Sequence, residues 1–278
     1  MINLIYYELL KIFKKWRTYI GFIAIGILIP LIEFVLYFSG QGIIENTTKR
    51  LEQDFILVGN LFNGWFVTHL IMNSLWIHIP FLICLVAGDV LAGEASAGTY
   101  RILLIRPVSR NKILISKYIA TLIYTLSIVF FLAFISLGLG LLLLGTGDLL
   151  IFKDGLLILP QDELWFRFFL SFLFASYAMF VVSTLAFLFS SLVENAIGPI
   201  IGTMAVIIFF FIIGNLPYDF FITLKPYLFT TYLDVWTLVF DEKIDWSMIV
   251  KHILILSIYM LSLFLPTYLL FRKKDILS

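Results

Sequence analysis

The apolar run LISKYIATLIYTLSIVFFLAFISLGLGLLLL, residues 114–144, decides the fold of this chain. Lys117 is its only charged residue, and 27 uncharged, mostly apolar residues follow it. A bilayer core about 30 Å thick is crossed by a helix of roughly 20 apolar residues. The run is therefore predicted to span a membrane as one α-helix.

Five other stretches have the same character and complete a set of six predicted spans. The spans cover residues 18–38, 66–92, 114–144, 166–192, 196–216 and 248–271. They lack the alternation of polar and apolar residues that a transmembrane strand requires. The prediction is an all-α membrane protein with six transmembrane helices in a single domain over residues 1–278.

The composition supports this class. Of 278 residues, 62% are hydrophobic and 13% are charged, and the mean hydropathy is +1.05. A soluble domain has about 45–50% apolar and about 25% charged residues. These values exclude an ordinary soluble enzyme and a disordered chain. The net charge of +1 gives no bulk attraction to nucleic acid, so no nucleic-acid partner is expected.

Basic residues near the span ends predict the orientation, because Lys and Arg accumulate in cytoplasmic loops. With the N-terminus inside, 12 of the 19 Lys and Arg residues are cytoplasmic, and the acidic residues concentrate in the opposite loops. An even number of spans agrees with this arrangement. Both termini are therefore predicted to be cytoplasmic.

The N-terminal residues 2–17 are predicted to form an amphipathic elbow helix. The apolar face consists of Ile5, Leu9, Ile12, Phe13 and Trp16, and the charged face mostly of Glu8, Lys11, Lys14 and Lys15. A basic amphipathic helix that leads into a span lies in the inner membrane surface. A plain cytoplasmic extension of the first span is the alternative.

Residues 217–247 are too polar to span a membrane and too aromatic for a solvated loop. Tyr and Trp favour the level of the lipid headgroups. Short external helices are therefore predicted between spans five and six, either in contact with a substrate or as a packed cap.

The sequence lacks the motifs of several enzyme classes. It contains no phosphate-binding Gly-x-x-x-x-Gly-Lys-Ser/Thr loop, no Gly-x-Ser-x-Gly elbow and no His-Glu-x-x-His helix. Its three His residues are scattered and Cys84 is its single cysteine, so neither a metal site nor a disulfide is expected. The chain is therefore not expected to be an enzyme of these classes.

Three polar residues within the spans are candidates for a transport pathway. Glu33 follows Pro30 in the first span and is either a cavity-lining carboxylate or an interfacial acid that pairs locally. His69 and Asn73 share one face of the second span. That face either lines a pathway or seals a contact between helices.

The cytoplasmic loop over residues 93–112 joins the second and third spans. Thr99 is placed to cap a short helix over residues 100–106, which Pro107 ends, and Ser109 is placed to cap the next helix. Such a helix exposes basic and apolar side chains together. The loop is therefore predicted to dock a partner protein, and a surface helix that contacts only lipid is the alternative.

The residue types of this loop form a pattern that continues into the third span. The pattern consists of Glu94, Gly98, Thr99, Leu103, Leu104, Pro107, Val108, Ser109, Arg110 and Lys117. It resembles the signature of the ABC-2 type permease family, the membrane subunits of type V ABC exporters. The C-terminal residues 271–276 also resemble the usual ending of that family.

The resemblance implies a function and a set of partners. The chain would be an exporter subunit in a prokaryotic cytoplasmic membrane, using ATP and Mg bound by a separate ATP-binding cassette ATPase. The apolar and aromatic composition of the spans, and not the resemblance, favours a lipid, hydrophobic peptide or drug as the substrate. A second permease copy is implied, with a homodimer favoured over a heterodimer, and membrane lipid surrounds the pair. The coupling residues would be Glu94, Gly98, Thr99, Leu103, Leu104, Arg106, Pro107 and Arg110. The alternative class is an ATP-independent carrier or a membrane assembly protein.

Overall fold

The computed structural model of the protein describes residues 1–40, 60–98, 108–152 and 155–273. Within these ranges six helices are long and apolar enough to cross a membrane. They are Trp16–Ser39, His78–Ser96, Arg110–Leu144, Gln161–Leu192, Gly198–Asn215 and Trp246–Lys273. The prediction of a helical, multi-pass membrane protein is confirmed.

The described elements are mostly helices, with one small sheet. In chain order they are α1 (Ile2–Lys14), α2 (Trp16–Ser39), α3 (Gly64–Leu75), α4 (His78–Ala87), α5 (Asp89–Ser96), α6 (Arg110–Leu144), β1 (Leu149–Phe152), β2 (Leu156–Leu159), α7 (Gln161–Leu192), α8 (Gly198–Asn215), α9 (Asp219–Leu224) and α10 (Trp246–Lys273). Two 3₁₀ segments, Lys225–Tyr227 and Phe229–Phe240, lie between α9 and α10. Helix α7 is the most buried of the spanning helices and packs against α4, α6, α8 and α10.

Helix α1 is shorter than the amphipathic segment predicted over residues 2–17. It ends at Lys14, because Lys15 adopts an extended backbone with φ −84° and ψ 130°. The Thr18 hydroxyl donates a hydrogen bond to the Ile12 carbonyl, one of the acceptors that a helix end leaves open. Trp16, predicted on the apolar face of the first helix, begins α2 and is 74% exposed.

The second apolar stretch, predicted as one span over residues 66–92, is divided into three helices. Turn residues at Trp76 and Ile77 separate α3 from α4, and Gly88 separates α4 from α5. Pro80 explains the first interruption, because it has no N–H to donate to the carbonyl of Trp76. The second interruption is caused by a side chain of α7, described below.

A hairpin connects α6 to α7, although the sequence predicted an all-α protein. Strands β1 and β2 are antiparallel, with Leu149 opposite Leu159. Asn63 joins the hairpin to α3: its Oδ1 accepts from Trp65 N at 3.0 Å, and its Nδ2 donates to the Asp148 carbonyl at 2.7 Å. The hairpin and the start of α3 therefore form one structure at this end of the bundle.

Residues 228–241 form a packed cap over the same end, whereas none of residues 217–227 is buried. The 3₁₀ segment Phe229–Phe240 has eight buried residues among its 12. Arg167 of α7 fixes the end of this segment, because its Nη1 donates to the carbonyls of Val239 and Asp241 at 2.7 Å each. The burial of this segment agrees with the packed cap, and residues 217–227 are not part of it.

Candidate functional site

Two lysines and two glutamates form a network where α1, α5 and α6 meet. The side chain of Lys117 is 0% exposed, and its Nζ lies 2.7 Å from Glu8 Oε2 and 2.6 Å from Glu94 Oε1. Lys11 Nζ lies 2.8 Å from Glu8 Oε1 and 3.0 Å from Glu94 Oε1. Charges therefore alternate around a closed ring, which we call the four-residue network.

The structure brings together two residues of the loop pattern, Glu94 and Lys117, and adds two that sequence reasoning missed. We placed Glu8 on the charged face of the first helix, together with Lys11. Instead, Glu8 is 8% exposed and faces the bundle. The signal was present in the sequence, because position 8 lies three residues after the apolar position 5 and four residues before the apolar position 12.

The network places three charges, those of Lys117, Glu8 and Glu94, where water has little access, whereas the Lys11 side chain is 45% exposed. Taking a charge out of water costs several kcal/mol unless a partner compensates it. Lys117 has two carboxylates for compensation, and Lys11 supplies the second positive charge that balances them. Burial lowers the pKa of Lys11, but the hydrogen bonds and charges of Glu8 and Glu94 outweigh it and raise the pKa above its ordinary value. The ring is charge-balanced and links three separate helices.

A second ionic contact lies beside the first, at the joint between α1 and α2. Asp89, the first residue of α5, is 7% exposed. Its Oδ2 lies 2.8 Å from Lys15 Nζ, and its Oδ1 lies 2.9 Å from Arg17 Nη1. A carboxylate at a helix N-terminus is also favoured by the helix dipole. Helix α5 therefore contacts α1 through Glu94 and the α1–α2 joint through Asp89.

Ser190 of α7 sets the position of α5 by entering its hydrogen-bond ladder. Its Oγ donates to the Gly88 carbonyl at 2.6 Å and accepts from the N–H groups of Leu91 at 3.1 Å and Ala92 at 2.9 Å. In a regular helix the Ala92 N–H would donate to the Gly88 carbonyl. A side chain inserted into the ladder in this way bends or breaks a helix. The orientation of the carboxylates on α5 therefore depends on α7.

Three of the expected coupling residues lie in the described part of the chain. Glu94 belongs to the four-residue network, and Gly98 ends the turn after α5 with φ +65°, a conformation that favours glycine. Arg110 begins α6, and its Nη1 donates to the Arg272 carbonyl at 3.4 Å. Ser109 precedes α6 as predicted, but its hydroxyl makes no capping hydrogen bond. Thr99, Leu103, Leu104, Arg106 and Pro107 lie outside the described residues, as does the helix predicted over residues 100–106.

Glu33 lies inside the bundle and not at an interface with water. It is 0% exposed, and neither carboxylate oxygen has a hydrogen-bond partner within the ranges that the structure describes. A methyl group at Gly140 of α6 would lie 3.3 Å from Glu33 Oε1 and 3.3 Å from Thr68 Oγ1. The carboxyl group therefore occupies a tight contact among α2, α3 and α6.

His69 and Asn73 lie together on α3. The Asn73 amide donates to the His69 carbonyl at 2.9 Å, and the His69 ring centroid lies 5.0 Å from that of Phe240 in the cap. No hydrogen bond joins this pair to Glu33 in the described part of the chain. The structure thus brings two of the three predicted pathway residues into contact with each other. Among the described residues no group of three His, Cys, Asp or Glu side chains is arranged to hold a metal ion.

These features define a multi-pass membrane protein in which ion pairs tie a short basic helix to two further helices. Residues 33–277 match the family described as Protein of unknown function (DUF2705), and the chain belongs to that family. It is similar to Uncharacterized protein YhcI of Bacillus subtilis (strain 168), with 27% identity over 322 aligned residues and 99% of each chain covered. The family match begins beyond α1, whereas the similarity to YhcI extends over nearly the whole chain.

Proposed function

We propose that this protein is the membrane permease subunit of an ABC-2 type exporter and that a separate ATP-binding cassette subunit hydrolyses the ATP. The four-residue network carries the proposal, because it joins α1, α5 and α6 where the chain enters and leaves residues 99–107. An exporter of this kind needs such a connection between its docking loop and its spans.

The position of the network suits transmission of force from a docked ATPase. Glu94 lies four residues before Gly98, where the described part of α5 and its turn ends, and Lys117 lies about two turns into α6. A displacement of the loop therefore acts first on α5 and α6, which are joined to α1 by ion pairs. Nucleotide binding in the ATPase shifts the permease between two states only by its differential affinity for them.

The proposed topology places both termini in the cytoplasm and α1 at the inner surface of a prokaryotic cytoplasmic membrane. The distribution of Lys and Arg supports this orientation. Helix α1 has exposed Lys11 and Lys14 on one side and buried Ile12 on the other, which supports its role as an elbow helix lying along the membrane.

Exposed polar residues support a second copy of the chain as a partner. Three polar residues are exposed in the single chain: Asn73 and Ser74 of α3 and His78 of α4. All three lie within the apolar stretch that was predicted as the second span. Polar side chains in a bilayer usually face other helices or a water-filled cavity. In a homodimer the equivalent surfaces of the two copies would pack against each other and line the route of a substrate.

One observation favours the alternative, an ATP-independent carrier. Glu33 is buried within a span without a hydrogen-bond partner among the described residues, and buried intramembrane carboxyl groups occur in the proton relays of carriers. Substrate movement in vesicles that contain the permease and no ATPase would support this class over the exporter.

The test of the proposal uses Leu103 and an ATP-binding cassette subunit, which is to be sought in the reading frames that neighbour the gene. We expect Leu103→Asp to abolish co-purification of the two proteins, because burial of one Leu side chain is worth about 1.5–3 kcal/mol, or roughly tenfold to more than a hundredfold in affinity. Arg101→Ala is the matched control in the same loop and should retain the complex, because rim charges contribute little.

Glu94→Gln separates docking from coupling. This variant should purify as a complex in which the permease no longer stimulates ATP hydrolysis, while the exposed Asp162→Asn at the opposite end of the bundle should behave as wild type. If the ATPase does not bind the wild-type chain, or if all four variants match it in binding and stimulation, the exporter proposal fails.

A further inference from the structure

A cavity of about 480 Å³ lies between α1, the α1–α2 joint and α5. Lys14, Lys15, Arg17 and Asp89 line its charged end. Ile12, Val86, Val90 and Ala97 contribute an apolar wall. A charged end and an apolar wall in one cavity match the boundary between a phospholipid headgroup and its acyl chains.

The charges around this cavity do not cancel. In the four-residue network two lysines face two glutamates, so that side is balanced. At the charged end, Lys15 and Arg17 share the single carboxylate of Asp89. Lys14 also lines the cavity and has no ion pair within the described ranges. Three cations against one carboxylate leave an excess of two positive charges.

We propose that this cavity binds the phosphate headgroup of an anionic membrane phospholipid. The excess cations attract the phosphate, and basic pockets between helices at the cytoplasmic side of membrane proteins bind such headgroups. The apolar wall favours a lipid over free phosphate, because only the lipid covers it. Trp16, 74% exposed beside Lys15, is a residue type that anchors helices at the headgroup level.

The bound lipid joins α1, α2 and α5 through one ligand. Its phosphate would contact the joint at Lys15, while its glycerol and upper acyl chains would lie against Val90 of α5. The placement at the inner leaflet rests on the proposed topology, whereas the binding chemistry does not depend on an ATPase. Loss of lipid binding and loss of ATPase binding are therefore separate experimental outcomes.

The test compares two lipids with identical acyl chains on the purified full-length chain. Delipidated protein receives phosphatidylglycerol or phosphatidylcholine, and native mass spectrometry counts the lipid retained. We expect preferential retention of phosphatidylglycerol. Each surface charge is worth about 1 kcal/mol, so Lys14→Gln should lower that preference about fivefold and Lys14→Gln with Lys15→Gln about 30-fold.

The control variant removes two exposed lysines at the same predicted side, Lys112→Gln with Lys273→Gln, which do not line the cavity. It should retain the wild-type preference, and an equal loss there would overturn the site in favour of diffuse surface charge. Glycerol 3-phosphate should fail to displace the lipid at equal concentration; full displacement would overturn the assignment to a lipid. Lys14→Gln keeps the test valid if the double variant does not fold, because Lys14 makes no ion pair in the described structure.

Discussion

The two ends of the bundle each contain a buried cation, and the two cations are held in different ways. Lys117 is held by Glu8 and Glu94, side chains from two other helices, one of them 109 residues away. Arg167 is held by Glu163 of its own helix and by backbone carbonyls of the cap, including those of Val239 and Asp241.

This difference indicates which end of the bundle can change its conformation. The carbonyls around Arg167 are fixed by the backbone of the cap, so this contact is a structural clamp. Around Lys117 the partners are side chains, and Lys11 and Lys117 share one oxygen, Glu94 Oε1, at 3.0 and 2.6 Å. Helices joined in this way can exchange partners while every charge remains compensated. A switch is therefore expected at the network and a rigid frame at the cap.

The largest effect is expected from Lys117→Met, which keeps the length of the side chain and removes its charge. Glu8 and Glu94 would remain as two buried carboxylates with only Lys11 between them. Breaking a buried ion pair typically costs about 3–5 kcal/mol, and we expect a fall of that size in the free energy of unfolding. Unfolding in mixed micelles followed by tryptophan fluorescence measures it.

Lys11→Met is the matched control, because it removes a lysine from the same carboxylates. The Lys11 side chain is 45% exposed, so water replaces part of the lost contact and we expect a loss of about 1 kcal/mol or less. Equal losses in the two variants would show that burial of Lys117 is not the source of the effect.

An intermediate effect is expected from Arg167→Met at the other end of the bundle. Hydrogen bonds to a charged group contribute about 1.5–3 kcal/mol, and the freed carbonyl of Asp241 is partly accessible to water. We expect a loss within that range. Hydrogen exchange should increase in Phe229–Phe240 and stay unchanged in α1 and α5.

Glu163→Gln provides the comparison, since it keeps the guanidinium on the cap carbonyls and removes only an exposed partner. Its effect on exchange should be small. Faster exchange in α1 after Arg167→Met would contradict the distinction between a rigid frame and a separate switch.

The sequence predicted the spans because their signal is local. A run such as residues 118–144 has one stable arrangement in a bilayer, whatever its neighbours do. The hairpin was missed, although Asp154-Gly155 between two apolar stretches is a hairpin signal. Its four-residue strands contain only apolar residues, so the alternation of polar and apolar residues that marks a strand is absent.

The network could be predicted only in part for a different reason. Glu94 and Lys117 were selected from the loop pattern, but Glu8 pairs with Lys117 across 109 residues. Such a pairing depends on the direction in which the chain turns at Lys15, between α1 and α2. No local sequence pattern determines that direction. The break at Gly88 likewise requires Ser190, 102 residues away. Contacts of this kind are properties of the packed bundle.

The smallest change in stability, with a clear change in geometry, is expected from Ser190→Ala. Three hydrogen bonds of the hydroxyl are lost, but the Ala92 N–H can then donate to the Gly88 carbonyl, as in a regular helix. The free energy of unfolding should therefore fall by only about 1 kcal/mol or less. Helix α5 should straighten with respect to α4, and the flexible cationic side chains should follow Asp89 and Glu94 so that their ion pairs persist.

Spin labels at Ser96→Cys and Asn111→Cys, in a Cys84→Ser background, measure this rearrangement as a shift in the mean distance between α5 and α6. Ser191→Ala is the control, because its hydroxyl donates only to Leu188 of its own helix at 2.7 Å. If Ser190→Ala leaves the distance unchanged, α5 is held by its ion pairs alone, and α7 has no part in orienting the network. A shift in Ser190→Ala without one in Ser191→Ala would show that the Ser190 hydroxyl causes the break between α4 and α5. It would also show that α7 helps to set the position of the four-residue network.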